Sequence, residues 1–236
     1  MESLLLPSKI RLLKGDRANQ GVLTVEPCAQ GYGTTLGNAL RRVLLSSLPG
    51  AAITAVKIKG VDHEFSTIPN IKEDVLELIL NLKAIRLKSF SDQPVKLTLS
   101  VKGEKEVTAA DFSKNADVEI VTPKAVIANI TDKSASLEME VTIEQGRGFR
   151  TTEERSKEKM ELGTIAIDAL YSPVLNVSYK VEATRLGEKT DYDKLILSVE
   201  TDGTVDPIDA CRDAVTILLD HLNLLNDSLK DMTYET

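Results

Sequence analysis

Along this chain the spacing of apolar residues switches between alternation and helical periodicity, and the switches mark out the elements. Gly21-Val22-Leu23-Thr24-Val25-Glu26 alternates with period two and runs into Pro27 and then Gly31-Tyr32-Gly33, which predicts a strand followed by a break. A helix over residues 36–48 follows. A hydroxyl of Thr34 or Thr35 is placed to cap it, and Pro49-Gly50 stops it. From residue 51 to about residue 171 alternation dominates, most clearly at 95–101 and 137–143, and predicts half-buried antiparallel strands. One helix interrupts this β-rich stretch over 72–85, where Val75, Leu78, Ile79, Leu82 and Ile85 share a face. Residues 156–161 read as a charged linker. Two further alternating runs, 177–181 and 195–199, read as a long hairpin joined by the polar stretch 187–193. Asp206-Pro207 then opens a last helix, with an N-cap residue and a proline at the first helical position.

Two helices carry more than their own burial requires. In the last one, Ile208, Cys211, Val215, Leu218, Leu222, Leu225, Leu229 and Met232 follow at spacings of three and four, while Asp213, Asp220 and Asp227 repeat every seven on the other side. Packing on the chain's own sheet is one explanation. A helix of roughly 25 residues is about 37 Å long at 1.5 Å per residue, however, which exceeds what a small sheet covers, so a partner helix is the other. Leu219 and Ala214 widen the stripe, so the expectation is packing against both sheet and partner. In the first helix, Leu36, Ala39, Leu40, Val43 and Leu44 fall on one side and Asn38, Arg41, Arg42 and Leu45 on the other. An outward leucine flanked by arginines is either a solvated face or an interface, where arginine is enriched for its rigid multi-donor head.

Composition narrows the function classes. Hydrophobic residues at 42% and charged residues at 28% are ordinary for a globular protein, and the net charge of -7 repels phosphate, which argues against broad nucleic-acid binding as a primary role. The apolar stretch 75–82 is broken by Glu77 and Asn81 and is far shorter than the ~20 residues that span a bilayer. At the N-terminus the run Leu4-Leu5-Leu6 precedes Lys9, Arg11 and Lys14, the reverse of a secretory signal. With two cysteines, Cys28 and Cys211, and no paired spacing, the expected compartment is the cytoplasm. His63 and His221 stand at no metal-ligand spacing, Glu153-Glu154 lies in charged loop sequence, and Gly146-Arg147-Gly148 reads as a β-turn before it reads as a phosphate cradle. No catalytic constellation, metal or cofactor is expected.

The stretch Gly31-Tyr32-Gly33-Thr34-Thr35-Leu36-Gly37-Asn38-Ala39-Leu40-Arg41-Arg42-Val43-Leu44-Leu45-Ser46-Ser47 closely resembles the N-terminal assembly domain of bacterial RNA polymerase alpha subunits. Further matches at residues 73–83, 146–148, 171–174 and 190–195 extend the resemblance, in order, over nearly the whole chain. It implies an α+β fold: a dimerisation module (1–50 and 174–236) with two helices on an antiparallel sheet, interrupted by an inserted β-rich domain (51–173). It also implies a non-catalytic subunit that pairs with itself and scaffolds the beta and beta-prime subunits. By resemblance the dimer interface takes Leu36, Leu40, Leu44, Val215, Leu218, Leu222, Leu225 and Leu229. Asn38, Arg41, Arg42, Leu45 and Lys83 meet beta, and Lys83, Val174, Val177 and Lys180 meet beta-prime. Where many members carry an aromatic and a histidine in the glycine turn, this chain has Tyr32 and Thr35, so no role of that histidine transfers. Members usually continue into a second, DNA-binding domain; the expectation is that this domain is absent here and that no DNA binding belongs to these residues.

Overall fold

A computed structural model describes residues 4–155 and 161–230. All but the last residue of the charged linker expected at 156–161, and Met232 of the expected helical seam, lie outside the described residues. In chain order the elements are β1 (Lys9–Lys14), β2 (Gln20–Cys28), α1 (Tyr32–Ser46), β3 (Pro49–Ile58), α2 (Val75–Ala84), β4 (Leu87–Ser89), β5 (Val95–Lys102) and β6 (Lys105–Thr108). After a short 3-10 turn come β7 (Val118–Ile120), β8 (Val126–Ile130), β9 (Ser136–Arg147), β10 (Phe149–Arg150), β11 (Thr164–Ala166), β12 (Ala169–Leu170), β13 (Val174–Leu186), β14 (Lys189–Thr201) and α3 (Pro207–Lys230). This is an α+β fold of antiparallel sheets, and it forms two compact units, 1–48 with 173–236, and 49–172.

In the first unit a four-stranded antiparallel sheet runs in the order β1-β2-β14-β13, with β1 at one edge. The helices α1 and α3 pack on this sheet and on each other. Their shared core is Leu40, Leu44, Leu48, Val174, Val177, Leu197, Val199, Ala210, Cys211 and Ala214. The expected hairpin is present but longer: its strands run on to Leu186 and resume at Lys189, around Gly187 at φ 63°. Most of the polar stretch expected to be a connection is therefore strand. Alternating solvent-facing residues satisfy their backbone within the ladder, whatever their polarity.

In the second unit a sheet of order β11-β3-β9-β5 is supplemented by the pairs β4-β7, β6-β8 and β10-β12. Val75, Leu78, Ile79 and Leu82 of α2 sit in the same core as Val56 and Ile58 of β3, Leu97 and Leu99 of β5, and Val141 and Ile143 of β9. The strict alternation of β5, buried at Val95, Leu97, Leu99 and Val101, is the pattern read from the sequence. Helix α2 begins at Val75 rather than at 72, because the Asp74 carboxylate caps it by accepting the Glu77 N–H at 2.7 Å. Glu73 is left free to turn inward, where it accepts hydrogen bonds from the backbone and side-chain N–H groups of Asn129, both at 2.7 Å. Gly146 is strand rather than turn: a Cβ there would stand 2.6 Å from the Tyr171 ring, and only Gly148, at φ 66°, has left-handed backbone.

Candidate functional site

Helix α1 starts four residues before the sequence places it, and neither Thr34 nor Thr35 caps it. Gly31, at φ 85°, turns the chain into the helix, and the free N–H groups of Gly31 and Gly33 both donate to Asp193 Oδ2 of β14, at 2.8 and 3.1 Å. A carboxylate brought from the far side of the sequence thus satisfies the helix N-terminus and complements its dipole. Gly33 and Gly37, one turn apart, let the helix lie directly on the hairpin. Their Cβ atoms would meet Val181 Cγ1 at 2.9 Å and the Tyr179 ring at 2.6 Å.

This anchoring fixes which side of α1 faces away from its sheet. Leu40 and Leu44, expected at the dimer interface, are 7% and 0% exposed and belong to the unit's own core; Leu36 is half-buried against Val25, Cys28 and Leu195. The face opposite holds Thr34, Asn38, Arg41, Arg42 and Leu45, all exposed. Arg41 bends back to donate from Nε to the Val177 carbonyl at 3.2 Å. Among the described residues no hydrogen bond or ion pair engages the Arg42 guanidinium, which stands beside Leu45 with nothing to neutralise it.

Helix α3 divides its apolar residues. Its N-terminus is capped as expected, with Asp206 Oδ1 accepting the Ile208 N–H at 2.9 Å. Against its own unit it buries only Pro207, Ala210, Cys211 and Ala214, with Ile217 and Leu218 half-buried beside them. Burial pushes the Cys211 thiol up to about 11. The larger side chains remain outside: Val215 is 41% exposed, Leu222 59%, Leu225 58% and Leu229 65%, and Ile208, Leu219 and Leu224 join them. The small residues let α3 approach closely, while Ile208, Val215, Leu219, Leu222 and Leu229 form a second, uncovered stripe centred about 90° further round the helix and Leu224 projects on another side. Asp213, Asp220 and Asp227 are exposed as the seven-residue repeat requires.

On β13 two expected contact residues are withdrawn. Val174 and Val177 are 5% and 3% exposed, inside the core. A register shift between Val174 and Asn176 places Leu175 as an extra residue, so both valines point inward while Leu175, Asn176, Ser178 and Lys180 point out. Lys180 Nζ pairs with Glu182 at 2.7 Å. In the second unit Lys83, in the last turn of α2, is half-buried, with Nζ 3.4 Å from Asp168 Oδ2. The Asp168 carboxyl lies below its ordinary range, first because it accepts the Thr152 N–H and then, against some burial, because of Lys83.

A cleft of about 620 Å³ on the β3-β9-β5 sheet carries Lys57, Lys59 and Lys96, and each is matched by carboxylates of Glu161, Glu138 and Glu140 within 3.3 Å. Among the described residues no cluster of His, Cys, Asp and Glu could hold a metal ion, and no helix is long and apolar enough to cross a membrane. Residues that pattern alone missed are Asp193, whose acidic side chain in a polar stretch gives no hint of its helix 160 positions earlier, and Leu175, whose exposure depends on the bulge.

Residues 56–172 match the family model described as the RNA polymerase Rpb3/RpoA insert domain. The chain is 50% identical over 215 residues to the DNA-directed RNA polymerase subunit alpha of Alkaliphilus oremlandii, covering 90% of this chain and 68% of that one. It is 50% identical over 204 residues to the subunit of the same name from Moorella thermoacetica (86% and 65% covered) and 49% identical over 211 residues to that of Symbiobacterium thermophilum (89% and 67%). It thus spans about two thirds of the length of these curated relatives.

Proposed function

The chain belongs to the family of bacterial DNA-directed RNA polymerase alpha subunits, and from that premise we propose that it is the non-catalytic assembly subunit of the polymerase, pairing with a second copy of itself and then recruiting the beta and beta-prime subunits. The observation that carries this reading is the division of α3. A helix that packs on its own unit through alanine, cysteine and proline while leaving Val215, Leu222, Leu225 and Leu229 outside is built to bury them elsewhere. Each leucine covered is worth roughly 1.5 to 3 kcal/mol, and a second copy offers the same stripe in return.

On this reading the outward face of α1, with Asn38, Arg41, Arg42 and Leu45, meets beta, and Lys83 supports one of the large subunits. Lys180 and the neighbouring Leu175 meet beta-prime from the exposed side of β13. The polymerase's chemistry then resides in the large subunits, which agrees with a cleft whose charges are mutually paired, and the compartment is the cytoplasm. Two identical protomers that must meet two different subunits acquire their asymmetry on binding.

Light scattering tests the first step. The purified chain should give a mass of about twice 25.8 kDa and then capture one beta chain. Because Leu222 is already 59% exposed, Leu222→Asp should yield a folded monomer, and a variant that stays a stable dimer removes this interface.

A further inference from the structure

In the second unit an exposed apolar pair is tied to a charged one. From residue 164 to residue 170 the chain alternates strictly, with Ile165, Ile167 and Ala169 buried and Asp168 and Leu170 pointing out. Phe149 of β10 pairs directly with Leu170 of β12, so their side chains stand together on that outward face. Phe149 is 55% exposed and Leu170 44%. The chain's own core covers neither.

Asp168, two residues before Leu170 on the same face, uses both of its carboxylate oxygens. Oδ1 accepts the Thr152 N–H at 2.9 Å, just past the end of β10, and Oδ2 accepts from Lys83 Nζ at 3.4 Å. One carboxylate thus ties together the exit of β10, the approach to β12 and the last turn of α2. Among the described residues it is the one carboxylate within ion-pair distance of Lys83. An ammonium has three donors, so Lys83 keeps donors for an acceptor outside the chain. The outcome is an apolar pair with a cation held at a fixed place near it, set before any partner arrives.

The course of the chain favours one occupant. Leu170 and Leu175 are five residues apart, a reach of at most about 18 Å, and Leu175 lies with Lys180 on the side of β13 assigned above to beta-prime. A subunit interface of roughly 20 to 30 residues a side extends further than that.

We propose that Phe149 and Leu170 are the apolar anchor of a beta-prime contact at Lys83, taking an apolar side chain of that subunit next to a carboxylate, with Asp168 as the positioning residue that holds Lys83 toward it. This rests on the scaffold reading above and adds residues to it that neither pattern nor resemblance supplied.

The test is capture of beta-prime by the full-chain dimer loaded with beta, measured by biolayer interferometry, with beta capture and the thermal melt recorded for every variant. Phe149→Ala and Leu170→Ala should each weaken beta-prime capture at least about fivefold and leave the melt and beta capture unchanged, since both side chains are exposed. Leu162→Ala, at a position 97% exposed in the same unit, should change none of the three. Asp168→Asn should weaken beta-prime capture about as much as Lys83→Ala, and should have no further effect in the Lys83→Ala protein, whereas a purely structural aspartate would add a loss of its own. Wild-type capture by both Phe149→Ala and Leu170→Ala, or a loss confined to beta, overturns this surface and leaves the scaffold standing. Additive losses from Asp168→Asn and Lys83→Ala overturn the positioning role. A wild-type dimer that captures neither large subunit overturns the scaffold reading and this surface with it.

Discussion

The Asp193 carboxylate accepts the Gly31 N–H at 2.8 Å, and this one contact ties the β13-β14 hairpin to the start of the helix that carries Arg42. The same oxygen takes the Gly33 N–H at 3.1 Å. Removing it leaves two helix-terminal donors without a protein acceptor. Asp193→Ala should therefore lower stability by about 1 to 2 kcal/mol, the usual cost of a lost N-cap, and raise amide exchange at the first turn of α1. Asp193→Asn, which keeps an acceptor but not the charge, should lose less. Urea unfolding of the two variants checks the order.

Gly37 sets two effects against each other. Alanine is better than glycine inside a helix by about 1 kcal/mol. Its Cβ would nevertheless fall 2.6 Å from the Tyr179 ring and 2.9 Å from Leu195 Cδ1, on a side chain that is fully buried. Overpacking of this kind costs about 1 to 3 kcal/mol, so Gly37→Ala should be net destabilising, whereas glycine to alanine at an exposed helix site would stabilise. A melting temperature equal to or above wild type would show that α1 can lift off the hairpin without loss.

Glu73 gives a pH dependence with a definite sign. Burial pushes its carboxyl up, but the Asn129 side-chain and backbone N–H donors outweigh this and hold it below the ordinary glutamate range. A depressed folded pKa means that the contribution is fully present above the unfolded value, roughly 4.3, and is lost as pH falls through the folded value. Glu73→Gln should cost about 1 to 3 kcal/mol near neutrality, because an amide cannot accept both N–H groups as strongly. It should also flatten the acid limb of the stability curve, which guanidine titrations between pH 3 and 7 would reveal as a narrowing gap from wild type.

How much of this was legible in the sequence depends on whether the cause was local. The alternation of β5, the cap at Asp206 and the amphipathic runs of α1, α2 and α3 follow from neighbours within a turn or two, and pattern reads them. The start of α1 does not, because its acceptor, Asp193, comes from a distant strand. Nor does the withdrawal of Val174 and Val177, since an extra residue at Leu175 changes which side chains face inward without changing the composition of the strand. The resemblance implies Leu40 and Leu44 of α1 as dimer-interface residues. The glycines that press that helix onto Tyr179 and Val181 turn those two leucines inward and leave its other face out.

Arg41 and Arg42 are adjacent, equally charged and both exposed, yet the structure separates their roles. Arg41 donates to the Val177 carbonyl at 3.2 Å and so helps hold α1 to β13. Arg42 projects beside Leu45, which is 36% exposed, and among the described residues its guanidinium has no partner. Arg41→Ala should therefore cost stability, about 1 kcal/mol for one charge-assisted hydrogen bond, and any loss of beta capture would follow from a loosened helix. Arg42→Ala should leave the unfolding midpoint within about 0.5 kcal/mol of wild type, as for surface sites free of contacts, and leave the dimer intact. It should still weaken beta capture at least tenfold, because an arginine desolvated beside an apolar neighbour is the kind of residue on which interface energy concentrates. Paired measurements of urea midpoint and beta affinity decide it. Equal capture by Arg42→Ala and wild type would move the large-subunit contact off this face of α1.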